Sequence, residues 1–241
     1  MLSELKFASG AVAKRDLIPA MTHFRIENGF VRSFNGSMAL CSPIACDIDC
    51  IPKAIPLIKA IQLCEQVIVL SLTPAGKLRV ASGPFKALID CINEDTAHPR
   101  PSGERISFDG EQILNAFKTL VRFTGDDASR PWTNGILLRN QSAFATNNVC
   151  LVEYWLGYDF PVTINVPRQA INEILRIDEP PIYAQCDEYS ITFHFENDRW
   201  LRTQLYETQW PDLSRILDVA HSVTEINPKL YEALEYLAPF T

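Results

Sequence analysis

The side chains that could take part in covalent chemistry are scattered along the 241 residues. Seven cysteines are present, and the closest group among them is Cys41, Cys46 and Cys50. The intervals in this group, four and then three residues, match no common zinc pattern. We therefore expect reduced thiols that pack as small hydrophobic side chains, and we expect neither a metal nor a cofactor.

The other candidates for catalysis are equally dispersed. The four histidines lie far apart, and Asp126 and Asp127 follow Gly125 in a polar stretch that is typical of a turn. The sequence contains no Walker phosphate loop, no Gly-x-Ser-x-Gly elbow, no His-Glu-x-x-His and no dinucleotide-binding fingerprint. These observations favour a binding protein over an enzyme.

Basic side chains recur on the polar faces of amphipathic segments. In the segment 109–123, Lys118 and Arg122 lie four residues apart, opposite an apolar stripe. Such bases either meet an anion or keep a helix face soluble. Six more lie on or beside three further amphipathic segments: Arg15, Lys59 and Arg176 point away from the apolar faces, and Lys14, Lys53 and Arg168 lie nearer their boundaries.

Composition limits the partners and the location. The net charge of −7 and the pI near 5.2 argue against a protein that holds nucleic acid by bulk positive charge, so any role on DNA must be local or topological. The N-terminus resembles no signal peptide, and no apolar stretch approaches the roughly 18 residues that span a bilayer. We expect a cytoplasmic protein that does not bind a membrane.

The sequence repeats itself at a constant offset, at which His23 aligns with Gly135. Residues 23–40 align with 135–152, and each copy predicts three strands joined by polar turns. Each copy then continues to a Pro-base pair, Pro52-Lys53 or Pro167-Arg168, where a short helix begins. A further helix is predicted before each copy, at 9–18 and 109–123. Three strands are predicted after each short helix, at 67–71, 77–81 and 85–91 and at 182–186, 189–195 and 200–206.

Each half therefore contains a helix, three strands, a second helix and three more strands, which predicts the α+β class. Residues 93–104 are rich in Pro, Asp, Glu and Gly, which predicts a linker at 96–105 between domains at 1–95 and 106–213. Residues 214–241 form a predicted tail with an amphipathic helix at 228–240.

Four sequence blocks of the second half carry a family resemblance. They are WTNGILL (132–138), AFATNN (143–148), TINVPR (163–168) and QWPDL (209–213). In this order they resemble the middle domain of the sliding clamp, the beta subunit of bacterial DNA polymerase III. In the first half, PAMTHF (19–24), the turn at Gly29 and Asn35-Gly36 resemble the first domain of the clamp, less strongly.

The resemblance implies the DNA clamp fold, with duplicated domains whose antiparallel sheets lie outside and whose helices line a central hole. It implies a processivity factor without enzymatic activity, which encircles duplex DNA and tethers a replicative polymerase after a clamp loader has placed it there. Bacterial clamps have three domains and close as dimers, whereas two domains per chain and six per ring imply a homotrimer. A two-domain clamp suggests a phage or prophage protein in a bacterial host cell. The helix at 228–240 resembles the first helix of a further domain; either it packs across a domain boundary or the chain is truncated.

The resemblance also implies two sites. The eight bases named above would face the DNA. A pocket for partner peptides, transferred by position, would include Thr133, Thr146, Val149 and Leu151 together with Ile216 or Leu217, although the family carries His at the position of Val149.

Two alternatives stay open at the level of sequence. The chain could be a monomeric adaptor of the same fold that binds peptides of replication proteins or competes with a host clamp. The residues assigned to the pocket could instead fill the core of their own domain. A sequence-specific DNA-binding regulator is less favoured, because no helix is dense in side chains that read bases.

Overall fold

The computed structural model describes residues 1–15, 18–93, 98–206, 210–213, 217 and 225–240. The chain divides into two compact units, residues 1–209 and 210–241. The second unit contains a helix, α5 (Lys229–Leu237), inside the predicted segment 228–240. All other elements described below belong to the first unit.

The first unit contains two related series of helices and strands. The first copy consists of α1 (Leu2–Ala8), β1 (Arg25–Glu27), β2 (Phe30–Phe34), β3 (Met38–Pro43), α2 (Ala54–Gln62), β4 (Val69–Leu72), β5 (Leu78–Ser82) and β6 (Phe85–Ile89). The second consists of β7 (Glu104–Ile106), α3 (Gly110–Leu120), β8 (Gly135–Thr146), β9 (Leu151–Pro167), α4 (Arg168–Ile177), β10 (Tyr183–Cys186), β11 (Ser190–Phe195) and β12 (Arg199–Gln204). The α+β prediction is confirmed.

A seven-stranded antiparallel sheet joins the two copies. Its order is β1-β2-β3-β12-β11-β10-β7, so that β3 of the first copy pairs with β12 of the second. Leu40 lies opposite Leu201 at this seam, and both side chains are fully buried. Strands β4-β5-β6 form a second sheet, and β8 and β9 a third. The division into domains at 1–95 and 106–213 stays a prediction; the two halves share one sheet.

Local sequence explains where the helices begin and end. Asp109 caps α3, because its carboxylate accepts a hydrogen bond from the Gln112 backbone N–H at 3.1 Å. Ile113 and Phe117 then recur at helical spacing and are completely buried. At the C-terminus of α4, Asp178 takes the left-handed conformation with φ 55° and ends the helix.

The structure corrects the predicted first helix. We expected it at residues 9–18, but α1 ends at Ala8 and is followed by one 3-10 turn, Ser9–Ala11, before the backbone becomes extended at Val12. Gly10 is a weak helix former, costing about 1 kcal/mol relative to Ala. The apolar face that anchors this region comes instead from Leu5 and Phe7, both buried.

The three strands predicted at 135–152 are also corrected, because they are two long strands that continue to Pro167. In the first copy, Asn28 and Gly29 both have positive φ, 52° and 72°, as a two-residue type I′ turn requires. In the second copy, Asn140 has φ 51° but Gln141 replaces the glycine. The chain therefore passes through a bulge at Asn140, with register shifts on both sides, and β8 continues.

Elsewhere the two copies keep the alignment of His23 with Gly135. Phe34 pairs with Ala39 between β2 and β3, and the residues aligned with them, Thr146 and Leu151, pair between β8 and β9. The 3-10 turns Pro19–Thr22 and Pro131–Asn134 also correspond. The sequence repeat is thus a structural repeat.

The cysteines form no disulfide bond. All seven cysteines are free, and burial raises the pKa of the Cys50 thiol to about 12, which keeps it protonated. Within the described residues, no helix is long and apolar enough to span a membrane, and no group of three His, Cys, Asp or Glu side chains could hold a metal ion.

We predict that His194 makes folding sensitive to pH. Its ring stacks on Tyr183 with centroids 4.3 Å apart, and burial, aided by the charge of Arg105, lowers its pKa from 6.5 to about 4. The unfolded chain therefore binds the proton first as the pH falls, so the free energy of unfolding should decrease between about pH 6.5 and pH 4. Urea unfolding at pH 7 and at pH 4.5 measures this decrease.

The variant His194→Gln should show a smaller decrease over this interval. His98, whose pKa burial also lowers to about 4, will retain its own contribution. An equal pH dependence in the variant and the parent chain would contradict the prediction.

Candidate nucleic-acid interface

The helices of the first unit form a connected series. Helix α1 contacts α2 and helix α3 contacts α4. Between the two pairs, Arg176 of α4 donates a hydrogen bond to the carbonyl oxygen of Phe7 in α1 at 3.0 Å. The order in space is therefore α2, α1, α4, α3, and the polar faces of these helices are where the sequence placed its basic residues.

Arg176 is a structural tie at the centre of this series. Its Nε donates to Glu173 Oε1 at 2.8 Å, and Nη2 contacts the same oxygen. Glu173 is only 8% exposed, and a Cβ atom on Gly10 would overlap its carboxylate. The glycine therefore lets α4 approach the end of α1 closely, and Arg176 compensates the buried negative charge.

Three further predicted bases also have contacts within the chain. Lys118 Nζ lies 2.7 Å from Asp178 Oδ1 in an exposed ion pair. Arg168, half-buried, donates to the carbonyl oxygen of Gly125 at 3.5 Å. Lys53 caps the start of α2, where its backbone N–H donates to the Asp90 carbonyl oxygen. The charged groups of Lys118 and Arg168 are thus partly engaged within the chain, whereas the contact of Lys53 is made by its backbone.

The remaining four bases are exposed and form no ion pair or hydrogen bond that the described residues show. Lys59 lies in the last turn of α2, and Arg122 in the 3-10 turn Val121–Phe123 that extends α3. Lys14 and Arg15 lie in a bend beyond the 3-10 turn Ser9–Ala11, so the prediction that Arg15 lies on the first helix is wrong. Of the eight predicted bases, Lys59 and Arg122 are therefore the exposed ones without such a contact that lie on a helix or its 3-10 extension.

The residues predicted to form a peptide pocket divide into distinct environments. Thr133 is fully buried, and its hydroxyl donates to the Arg130 carbonyl oxygen at 2.9 Å. It therefore offers no exposed surface to a bound peptide. Thr146 Oγ1 donates to the Cys150 carbonyl oxygen at 2.8 Å and closes the β8–β9 turn. Val149 in that turn is 92% exposed, and Leu151 is half-buried.

The last two pocket residues lie beyond the first unit. Leu217 belongs to the second unit, and its side chain is exposed. Ile216 lies outside the described residues. Of the six, Thr146, Val149 and Leu151 are the ones that the structure brings together, at one end of the β8–β9 hairpin.

The sequence patterns did not reveal the tie between Gly10, Glu173 and Arg176. Glu173 and Arg176 stand three residues apart in α4, a spacing that allows an ion pair on one helix. Nothing in that spacing indicates that the carboxylate is buried against a second helix far away in sequence.

No protein-family model and no curated protein matches the chain. Solved structures do match. A putative DNA polymerase III beta subunit from Eubacterium rectale superposes with a TM-score of 0.77 over 91% of this chain and 66% of its own, at 12% identity. The chain has the sliding-clamp fold. The resemblance seen in the sequence blocks is thereby confirmed at the level of fold.

Two further clamps give similar values. The DNA polymerase sliding clamp from Caulobacter crescentus has a TM-score of 0.77 over 100% of this chain and 73% of its own, at 15% identity. The clamp from Bartonella birtlesii, solved bound to griselimycin, has a TM-score of 0.74 over 89% and 65%, at 16% identity. The chain thus spans about two thirds of the length of the clamps it matches, and at these identities the likeness is one of fold.

We predict that Arg176→Ala destabilises the protein by about 1–3 kcal/mol, because it leaves the Glu173 carboxylate buried without its cation. Urea unfolding measures the change. The double variant Arg176→Ala/Glu173→Gln should recover part of the loss. Lys118→Ala, which breaks only an exposed pair, should stay within about 0.5 kcal/mol. Equal losses for Arg176→Ala and Lys118→Ala would refute the role assigned to Arg176.

Proposed function

We propose that the protein is a sliding clamp, a processivity factor that encircles duplex DNA and tethers a replicative polymerase. The observation that carries this proposal is the repeated clamp fold, in which four connected helices offer Lys59 and Arg122 as free cations. In this proposal the helices face the DNA without reading its sequence, and the chemistry is entirely non-covalent. The clamp acts in the cytoplasm of a bacterial cell and is encoded by a phage or prophage.

A topological link reconciles this function with the net charge of −7. A ring stays on DNA because it must open to leave, so it needs few phosphate contacts. Weak contacts also permit sliding, since each strong Lys or Arg contact releases counterions and would hold the ring in place. Beyond about 8 Å at physiological ionic strength, salt screens the acidic remainder of the surface from the duplex.

Two repeats per copy and six per ring give a homotrimer. Its partners are duplex DNA, a replicative polymerase and an ATP-driven clamp loader. The loader opens the ring, and the polymerase docks through a short peptide. The pocket for that peptide includes the exposed end of the β8–β9 hairpin, where Thr146, Val149 and Leu151 lie.

The ring is tested by retention on DNA of two topologies. The chain, loaded onto nicked circular plasmid by a clamp loader with ATP and then gel-filtered, should elute with the plasmid and should be lost when a single restriction cut linearises the DNA. The double variant Lys59→Ala/Arg122→Ala should fold normally and should stay on the circle once loaded, but several-fold less of it should load, because two cations that attract the duplex are gone. Light scattering should give the mass of three 27.2 kDa chains.

Two outcomes would contradict the ring. Equal retention on circular and linear plasmid would indicate ordinary phosphate binding. A monomer at every concentration, without retention on circles, would favour the peptide-binding adaptor of the same fold.

The pocket is tested with griselimycin, the compound bound to the Bartonella birtlesii clamp. We expect Val149→Asp to weaken its binding at least ~10-fold, because a carboxylate replaces an exposed apolar contact in the proposed docking surface. Val67→Asp is the matched control, since Val67 is 83% exposed but lies in the first copy. Isothermal titration measures both. Binding that survives Val149→Asp unchanged would place the pocket elsewhere.

A further inference from the structure

The seven-stranded sheet has one face toward the helices and one face away from them. Ser33 of β2 donates a hydrogen bond to the Ala8 carbonyl oxygen in α1, so its neighbour Arg32 points away from the helices. Leu201 of β12 belongs to the core, so Arg202 also points away. We call this side of the sheet the arginine face, after five residues: Arg25 (β1), Arg32 (β2), Arg202 (β12), Arg105 (β7) and Arg100, which precedes β7.

The strand register places four of these arginines on the same face. Arg25 lies directly opposite Arg32. A row of directly paired residues also runs from Arg202 across β11 and β10 to Arg105. Residues that are paired directly across antiparallel strands point to the same side of the sheet. The face therefore carries arginine from the first strand of the sheet to the last.

Positive charge is concentrated on this face of an acidic protein. Among the described residues, Glu27 is the only carboxylate that the seven strands place there. The hydrogen bond from Arg25, with the charges of Arg32 and Arg100, lowers the pKa of Glu27. Asp49, beyond the strands, also acts on Arg25. Since the whole chain has a net charge of −7, this face differs in sign from the average surface.

Three of the five arginines lack an acceptor among the residues that the structure describes. Arg100 and Arg105 are exposed, and neither forms an ion pair or a hydrogen bond there. Arg202 is half-buried, and its Nε donor is shielded from water without an acceptor. Thr192, paired with it, is fully buried, and its Oγ1 is also unpartnered. Because unpaired buried polar groups are unfavourable, an acceptor supplied by a ligand would be favourable beside them.

Aromatic rings orient two arginines of the face. The Arg105 guanidinium lies 3.9 Å from the centre of the Tyr183 ring, and His194 stacks on the same ring at 4.3 Å. Arg32 lies 5.5 Å from the centre of the Phe30 ring. Stacking holds the plane of a guanidinium and leaves N–H groups at its edge for a carboxylate. Less side-chain freedom is then lost when an anion binds.

The segment before β7 presents Arg100 to solvent. Arg100 lies between Pro99 and Pro101, which restrict the backbone around it to extended conformations. His98 packs against Phe34 of β2, with ring centroids 6.3 Å apart, and so attaches the segment to the arginine face. Arg100 is thus an exposed cation on a short, restrained piece of chain.

We propose that the arginine face binds an extended acidic segment of a partner protein through the carboxylates of that segment. Neighbouring strands lie about 4.8 Å apart, so the row of strands from β1 to β7 spans about 29 Å. An extended peptide covers this distance with about nine residues. The proposal concerns a single copy of the chain and goes beyond the proposed ring, on which it does not depend.

The aromatic rings favour a carboxylate ligand over a single-stranded nucleic acid. Proteins that bind single strands on a sheet stack the bases on free aromatic faces. On the arginine face, Tyr183, Phe30 and Phe34 each already have a cation or a second ring against them. The groups that remain available are N–H donors, and these pair with carboxylates.

Fluorescence anisotropy with a labelled deca-glutamate peptide tests the proposal on the full chain without DNA. The parent chain should bind this peptide at low salt and should not bind deca-glutamine. Arg100→Ala/Arg105→Ala should weaken binding at least ~10-fold, because two charge-assisted contacts are lost. The matched control is Arg79→Ala/Arg139→Ala, which removes two exposed arginines from β5 and β8 and should leave binding unchanged.

Two further measurements keep the test specific. Thermal unfolding of each variant should match that of the parent chain. Arg100→Ala alone, which removes a side chain that stacks on no ring among the described residues, should still weaken binding several-fold if Arg105→Ala disturbs the fold.

Each outcome decides the inference. A loss confined to the variants of Arg100 and Arg105 supports it. An equal loss in the control, or no binding of the peptide up to about 100 µM, contradicts it. A loss with Lys59→Ala/Arg122→Ala instead would place the peptide on the helices, and tighter binding of deca-thymidylate at the same arginines would identify a nucleic-acid surface; either result overturns the proposal. The retention assay on circular plasmid is independent of all these results, so the ring can fail or stand separately.

Discussion

The rest of the structure depends on the pairing of β3 with β12. Without it the two copies would be separate small sheets, each with an exposed edge and with Leu40 or Leu201 in water. The pairing makes one seven-stranded sheet and merges Met38 and Leu40 of the first copy into the core of the second. It also sets the distance between α1 and α4, which is short enough that only glycine fits at position 10 beside the Glu173 carboxylate.

Much of this arrangement follows from patterns in the sequence. The repeat, the α+β class, strands β4–β6 and β10–β12, and the helix α3 that Asp109 caps were all predicted. Alternation, helical spacing and capping are local signals that a sequence shows directly. The first helix was misplaced at 9–18, where a weak amphipathic pattern stops at Pro19, whereas its apolar face lies at Leu5 and Phe7. The bulge at Asn140 was missed because the polar run Arg139-Asn140-Gln141 is also typical of a turn, although Gln141 stands where the first copy has Gly29.

The candidate site was less predictable, for an electrostatic reason. Helical spacing predicts which basic side chains lie on the exposed side of a helix, and the prediction is correct for Lys59 and Lys118. Spacing does not identify their neighbours. Arg176 is bound to a buried carboxylate and a distant carbonyl oxygen, and Lys118 to Asp178, through contacts that exist only once the helices have packed. Which cations remain free for an anion is therefore a property of the tertiary structure.

The pairing of β3 with β12 also determines where a ring of several copies would open. Its two strands belong to one chain, so a transient separation is followed by intramolecular rejoining at an effective concentration in the millimolar range. In the proposed ring, a joint between copies has no covalent connection and competes with dilution at every opening. Such a ring would separate first at the joints between chains, while the two repeats of the first unit stay joined by their shared sheet. A loader that opens the ring would need to act on one such joint.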